Sequence, residues 1–155
     1  MTEVTFNSVK AFTDEFFRRH WPVSEAEMPV WNMPWSLVGT LPGHNMQGIY
    51  VLLGAHDEVL YIGVGASLGG GGYVGHGLGS RTSKYVRTAE GQRGVSVADR
   101  KYVPKGKWAD LRLSKIVTLG FNQDYAYLAY GLEAFLLREI ETPNNKIRSA
   151  RASNA

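Results

Sequence analysis

Near the N-terminus, Val9, Phe12 and Phe16 recur at intervals of three and four, which predicts one apolar face of a short helix. Asn7 or Ser8 stands where a cap belongs, Arg18 and Arg19 suit the C-terminal end, and Pro22 stops the helix. Two strand-like runs follow, Gly48 to Leu53 and Val59 to Gly63, and Gly54-Ala55-His56-Asp57-Glu58 between them has hairpin length and chemistry. Alternation along the first run puts Tyr50 and Leu52 on one face and Ile49 and Val51 on the other. Ser80 is placed to cap a short helix from Arg81 to about Thr88, and 89–107 reads as a basic loop with glycines and Pro104. Leu111 to Leu119 predicts a third strand, broken by Arg112 and Lys115. Asn122, with Asp124 in the first turn, opens a long helix to about Glu141 that Pro143 closes.

Strand, strand, helix, strand, helix describes an α+β fold, a small three-stranded antiparallel-type sheet flanked by helices. Before it lie four of the six prolines and three of the four tryptophans. Residues 1–47 therefore read as an N-terminal extension, helical and then irregular, packed over a main module at 48–147, with a tail at 148–155.

A chain of 155 residues, 44% hydrophobic and 20% charged, suits one domain with its own core. Without cysteine, it has no disulfide, zinc-thiolate cluster or thiol nucleophile. The histidines at 20, 44, 56 and 76 lack metal-site spacing. No apolar run reaches membrane-span length, and Thr2, Glu3 and Thr5 interrupt any signal-peptide pattern, so a cytoplasmic protein is expected with no membrane partner. The net charge of +3 hides a strong asymmetry. Residues 1–60 carry three Lys/Arg against seven acids, whereas 81–115 carry ten against three, a local net of +7. With Tyr85, Tyr102 and Trp108 interleaved, that stretch suits a polyanion, or else is a solvated surface.

Two patterns suggest chemistry. Between Tyr125 and Leu137 the long helix is apolar nearly all round, apart from the lone carboxylate Glu133. Such a group sits on an exposed sliver or is held inward, typically for a metal. The second pattern is glycine: nine of the 18 glycines fall between Gly63 and Gly79. Val59 to Gly65, then Leu68 and Gly69, resembles the strand and loop of a nucleotide or methyl-donor site. Leu68 takes the place of the third glycine, however, and no acid occurs between Glu58 and Glu90. A surface loop describes the segment better.

The tripeptides Gly48-Ile49-Tyr50 and Tyr61-Ile62-Gly63 are separated by ten residues. Both at such a spacing arise by chance in roughly 10⁻⁵ of chains this long. The pair resembles the signature of the GIY-YIG nuclease family. Arg81 and Tyr85, four residues apart, match that family's arginine and following tyrosine; Glu133 matches its helix-borne glutamate, and Asn145, or the adjacent Asn144, its terminal asparagine. The resemblance spans about 48–147 and implies a DNA endonuclease, with duplex DNA as partner. It also implies one divalent ion on Glu133, Mg²⁺ with Mn²⁺ as a substitute, and Arg81 on the phosphate. Tyr50 would be the general base, its pKa lowered by Arg81 and the metal, while Tyr61 and Tyr85 order water or phosphate and Asn145 supports the site. Lys84, Arg87, Arg93, Arg100, Lys101, Lys105 and Lys107 would track the DNA backbone. The chain departs from the family in the 17 residues between Gly63 and Arg81, and in Val64 and Gly65, where some members carry lysine. A binding module of the same fold without catalysis is the other expectation.

Overall fold

The structure, a computed structural model, describes residues 4–21, 27–67, 77–142 and 144–145. Pro22, Pro143, the glycine run 69–72 with Leu68, and the tail 148–155 lie outside the described residues.

Three strands form one antiparallel sheet: β1 (Gln47–Leu53), β2 (Val59–Gly65) and β5 (Lys115–Phe121), with β1 in the centre. Every residue of β1 is buried, as a strand covered on both faces requires. Hairpin closure between β1 and β2 places Asp57 at φ 63, a conformation that Asp tolerates better than most residues, and Lys115 on β5 pairs with its carboxylate at 2.6 Å. In register, Gly48 faces Gly65 and Tyr50 faces Gly63. Tyr50 and Leu52 do share one face, and Ile49 and Val51 the other.

Each face has its own core. The Ile49 and Val51 side packs with Ile62, Val117 and Leu119 against α1 (Phe6–His20) and α4 (Leu128–Glu139). The Tyr50 and Leu52 side packs with Leu78, Tyr85, Trp108 and Ile116 under short elements: α2 (Leu78–Thr82), β3 (Val86–Thr88), β4 (Tyr102–Pro104) and α3 (Lys107–Asp110). β3 and β4 form a separate two-stranded ladder.

The extension is built into both layers. Asn32 and Trp35 donate backbone hydrogen bonds to Thr118 and Ile116 of β5, while Gly39 donates to Arg100 and Tyr102 of β4 donates to Leu37. Trp21 is buried against Phe17, Phe121 and Tyr125, and Trp35 against Tyr102.

Several local expectations need correction. Thr5, not Asn7 or Ser8, precedes α1, and no side chain caps it. The helix expected over 81–88 ends at Thr82, because the Thr82 and Ser83 hydroxyls turn back on the Leu78 and Ser80 carbonyls and Val86, Arg87 and Thr88 pair as a strand. A helix of five residues carries little stability of its own, so strand pairing wins. The basic loop contains β4 and part of α3, and the third sheet strand starts at Lys115, since Leu111 to Leu113 belong to the turn after α3. Asn122 does cap, accepting from the Asp124 backbone N–H, but it caps a 3₁₀ turn (Gln123–Tyr125) ahead of α4. No described helix is long and apolar enough to cross a membrane.

Gly63 is required by its neighbour, since a Cβ there would enter the Tyr50 ring. Gly63→Ala should therefore lower unfolding stability by about 1–3 kcal/mol in urea denaturation; an unchanged midpoint would mean that the ring is not held there.

Candidate active site

A cleft of about 420 Å³ opens at the β2 edge of the sheet. Tyr61 comes from β2, Lys84 and Tyr85 from the turn after α2, Lys107 and Trp108 from α3, Glu133 and Leu137 from α4, and Asn144 and Asn145 from the chain beyond α4. Residues separated by more than 80 positions thus line one concavity.

The cleft's aromatic wall is built on β1. Tyr50 is 1% exposed, and its ring reaches over Gly63 so that its hydroxyl meets that of Tyr85 at 2.6 Å. Tyr61 lies beside Tyr50 with ring centroids 6.3 Å apart, and Trp108 meets Tyr61 and Tyr85 edge-on at 5.7 and 5.2 Å. Edge-to-face contacts of this kind fix ring orientation beyond what area burial alone would do. At the mouth, the Lys84 and Lys107 ammoniums sit 5.2 and 5.0 Å above the Tyr85 and Trp108 rings.

The two asparagines have a definite structural task. β2 is an edge strand, and its outward backbone groups would otherwise lack strand partners. Asn145 accepts from the Ile62 N–H at 3.1 Å and donates to the Ile62 carbonyl at 2.8 Å, imitating a neighbouring strand. Asn144 donates to the Leu60 carbonyl at 2.8 Å. Together they hold the chain after α4 against β2, which sets the distance between Glu133 and Tyr61 across the cleft.

Glu133 sits at the margin of the buried face of α4, in line with Ala129 and Leu137 at four-residue spacing. It is half-buried, and burial raises its carboxyl pKa while the Arg81 charge opposes the rise. Arg81 is exposed, yet its charge also acts on Tyr50 and Tyr85. Arg81 and Tyr85, both within the helix expected over 81–88, do not share one helix. Arg81 is in α2, whereas Tyr85 is buried in the following turn.

For Tyr50 the direction is opposite to that expected of a general base. Burial pushes its phenol above the ordinary range, the Tyr85 hydrogen bond adds to this, and only the Arg81 charge opposes it, more weakly than either. Burial also raises Tyr85, and the hydrogen bond to Tyr50 opposes that rise. Tyr50 does not line the cleft, but Tyr61 and Tyr85 do.

The basic side chains divide by position. Lys84 and Lys107 border the cleft, Arg87 lies on a second groove, and Arg93, Lys101 and Lys105 are exposed on the β3–β4 side. Arg100 is half-buried, with one nitrogen 3.4 Å from the Val95 carbonyl. Among the described residues, none of these seven forms an ion pair, so their charge remains available to a polyanion. In the sequence, Trp108 stands out only as an aromatic interleaved with basic residues. Its lysine neighbour and its place just after Pro104 and Gly106 give no sign that it walls a cleft.

Among the described residues no three His, Cys, Asp or Glu groups gather as a metal cage. The donors present fit a hard, water-rich cation held by one carboxylate and by a substrate's own oxygens, as Mg²⁺ is commonly held. They do not fit zinc. The chain matches no protein-family model, no curated protein and no solved structure.

The burial of Glu133 has a measurable consequence. Its carboxyl holds a proton more tightly folded than unfolded, so its contribution to stability is full below the ordinary value of 4.5 and is lost as pH rises past it. In EDTA, Glu133→Gln should therefore have a higher Tm than wild type at neutral pH, with the gap closing in acid below that value. Equal Tm values at both pH extremes would place the carboxylate in water.

Proposed function

We propose that the protein is a metal-dependent DNA endonuclease with the GIY-YIG arrangement of site residues. The observation that carries this reading is the cleft itself. It gathers Tyr61, Tyr85, Glu133 and Asn145 from four separate stretches of chain, with the Arg81 charge acting on Glu133 and Tyr85. Those are the positions that the tripeptide resemblance singled out.

Hydrolysis of a phosphodiester needs a positioned water, a cation on the phosphate and relief of charge on the leaving oxygen. Glu133 would hold one Mg²⁺, which when bound supplies Lewis-acid stabilisation of phosphate oxygens. Arg81 is exposed and does not itself line the cleft, but its charge acts on Glu133 and Tyr85, and it would bind the scissile phosphate through its planar fork of donors. Tyr61, half-buried and lining the cleft, is the phenol able to contact the attacking water. Tyr50 takes a positioning role, because its hydroxyl is committed to Tyr85 and its pKa is raised. Lys84 and Lys107 would hold phosphates on either side of the cut.

Purified protein incubated with supercoiled plasmid and Mg²⁺ should yield nicked or linear DNA. Glu133→Gln should cut at least 100-fold more slowly while remaining folded. Binding without any cutting by wild-type protein would leave a nucleic-acid-binding module.

The tyrosines separate by role. Tyr61→Phe should lose roughly 10²–10⁴-fold in rate with DNA binding retained. Tyr50→Phe should act mainly on stability, by about 1–3 kcal/mol, because it orphans the Tyr85 hydroxyl. A crippled Tyr50→Phe enzyme of normal stability, beside a mild Tyr61→Phe, would reverse the two assignments.

Lys84→Ala with Lys107→Ala should weaken DNA binding at all sequences and flatten its salt dependence by about 0.9 for each phosphate no longer neutralised. An unchanged slope would return both lysines to the solvated surface.

A further inference from the structure

A second concavity, of about 380 Å³, is lined in part by the same stretch of chain as the cleft. Ligand sites commonly run from about 300 to 1,000 Å³, so it has room for a small guest. Its aromatic and apolar surface comes from Trp35, Tyr102 and Val97, and its polar rim from Thr40, His44 and Arg87. The two concavities share one stretch of chain. Thr82 and Ser83 line the groove, Lys84 and Tyr85 line the cleft, and Val86, Arg87 and Thr88 line the groove again. Neighbouring residues of a single segment therefore face both.

We propose that this groove is a nucleoside subsite, taking the base and sugar of a nucleotide that flanks the phosphate held in the cleft. The proposal rests on the nuclease reading of the cleft and extends it to substrate selection. Three observations support it. An aromatic surface with a few hydroxyls and an imidazole at its rim matches a nucleobase, which has a stacking face and a polar edge. The Arg87 guanidinium lines the groove, is exposed and is in no ion pair among the described residues, so it is free to pair with the attached phosphate.

The third observation is that the groove is preformed, and strained in being so. Leu37 is buried with φ 68, a left-handed conformation that costs a leucine of order 1–2 kcal/mol. It is held there by Tyr102 N–H donating to the Leu37 carbonyl at 2.8 Å and Gly39 N–H donating to Arg100 at 2.8 Å. The Trp35 indole N–H donates to the Val38 and Gly39 carbonyls at 2.9 and 3.2 Å, closing the same wall. A Cβ on Gly39, at φ 79, would stand 2.8 Å from the Ala98 oxygen, so the 97–99 turn lies close against this wall. Val97 on that turn is 54% exposed at the groove, an apolar side chain left in water in the free protein. Strained backbone that surrounding structure holds in place is the usual companion of a binding site.

The two concavities each carry a tryptophan, Trp35 for the groove and Trp108 for the cleft, so occupancy of each is read separately. The ¹⁵N-indole resonances of both are followed while a short DNA duplex, or its single strand, is titrated in EDTA. Both resonances should move, and Trp35 should move at least as far with the single strand, whose bases need no unstacking. Val97→Glu, a change at an exposed position that sets a carboxylate at the groove, should abolish the Trp35 response and leave that of Trp108. Tyr102→Ala should weaken single-strand binding roughly 5- to 100-fold, the range for loss of one base-stacking partner. Because Tyr102 also packs on Trp35, with centroids 5.4 Å apart, Val97→Glu decides if the alanine variant fails to fold. A response at Trp108 with none at Trp35 overturns the subsite and leaves the nuclease reading standing. Silence at both overturns the subsite, and cutting of plasmid in Mg²⁺ then decides the nuclease reading by itself. A moving Trp35 whose shift survives Val97→Glu also overturns the subsite, since the groove is then not what is filled.

Discussion

The Tyr50 ring lying across Gly63 is the constraint on which the rest of the site depends. With no side chain opposite it, the ring crosses to the neighbouring strand and delivers a hydroxyl to Tyr85, 2.6 Å away. That bond ties the central strand to an irregular turn which has little helix or sheet to hold it. Tyr85 in turn meets Trp108 edge-on, and its carbonyl accepts from the Lys105 N–H at 3.0 Å. A buried hydroxyl pair is costly when half of it is missing, so the two tyrosines specify each other. The aromatic wall is rigid because it is made from the sheet outward.

Opposite that wall stands a single carboxylate, and its setting is a compromise. Glu133 lies on a mostly apolar helix, and burial raises its pKa, so the folded chain is less stable for carrying its charge. Nothing among the described residues forms an ion pair with it, while Arg81 acts on it from an exposed position. Such a group is destabilising in the free protein, and a bound cation would relieve it. Functional sites commonly give up stability in this way, and under the nuclease proposal removal of the Glu133 charge would show both effects.

The three sheet strands were legible because each is an apolar run long enough to outweigh its breaks, and the lone Glu133 stood out against an apolar helix. The chain from 81 to 110 was not. Its elements have only three to five residues, below the length at which periodicity distinguishes strand from helix. β4 pairs with β3 on one side and with residues 37–39 on the other, and neither partner is adjacent in sequence. Tyr50 shows the same limit within the site. Its face of the strand followed from alternation, but its hydroxyl's commitment to Tyr85 depends on a turn that sequence pattern had placed in a helix.

The extension, for the same reason, is more than a cover. Trp35 bonds through its backbone to Ile116 at the sheet edge, and residues 37–39 bond to Arg100 and Tyr102. β4 passes from Tyr102 to Pro104, Lys105 then bonds to Tyr85, and Trp108 follows in α3. A continuous line of backbone hydrogen bonds and aromatic contacts thus runs from the extension to the cleft wall. The short elements on that line bury too little to be stable alone, so each holds its place only because both neighbours do. Strain at Leu37, far from Glu133 in sequence, is on this line, and whatever relaxes it also loosens the turn that presents Tyr85. The positions of the site aromatics are therefore set as much by residues 32–39 as by the two tripeptides that mark the site.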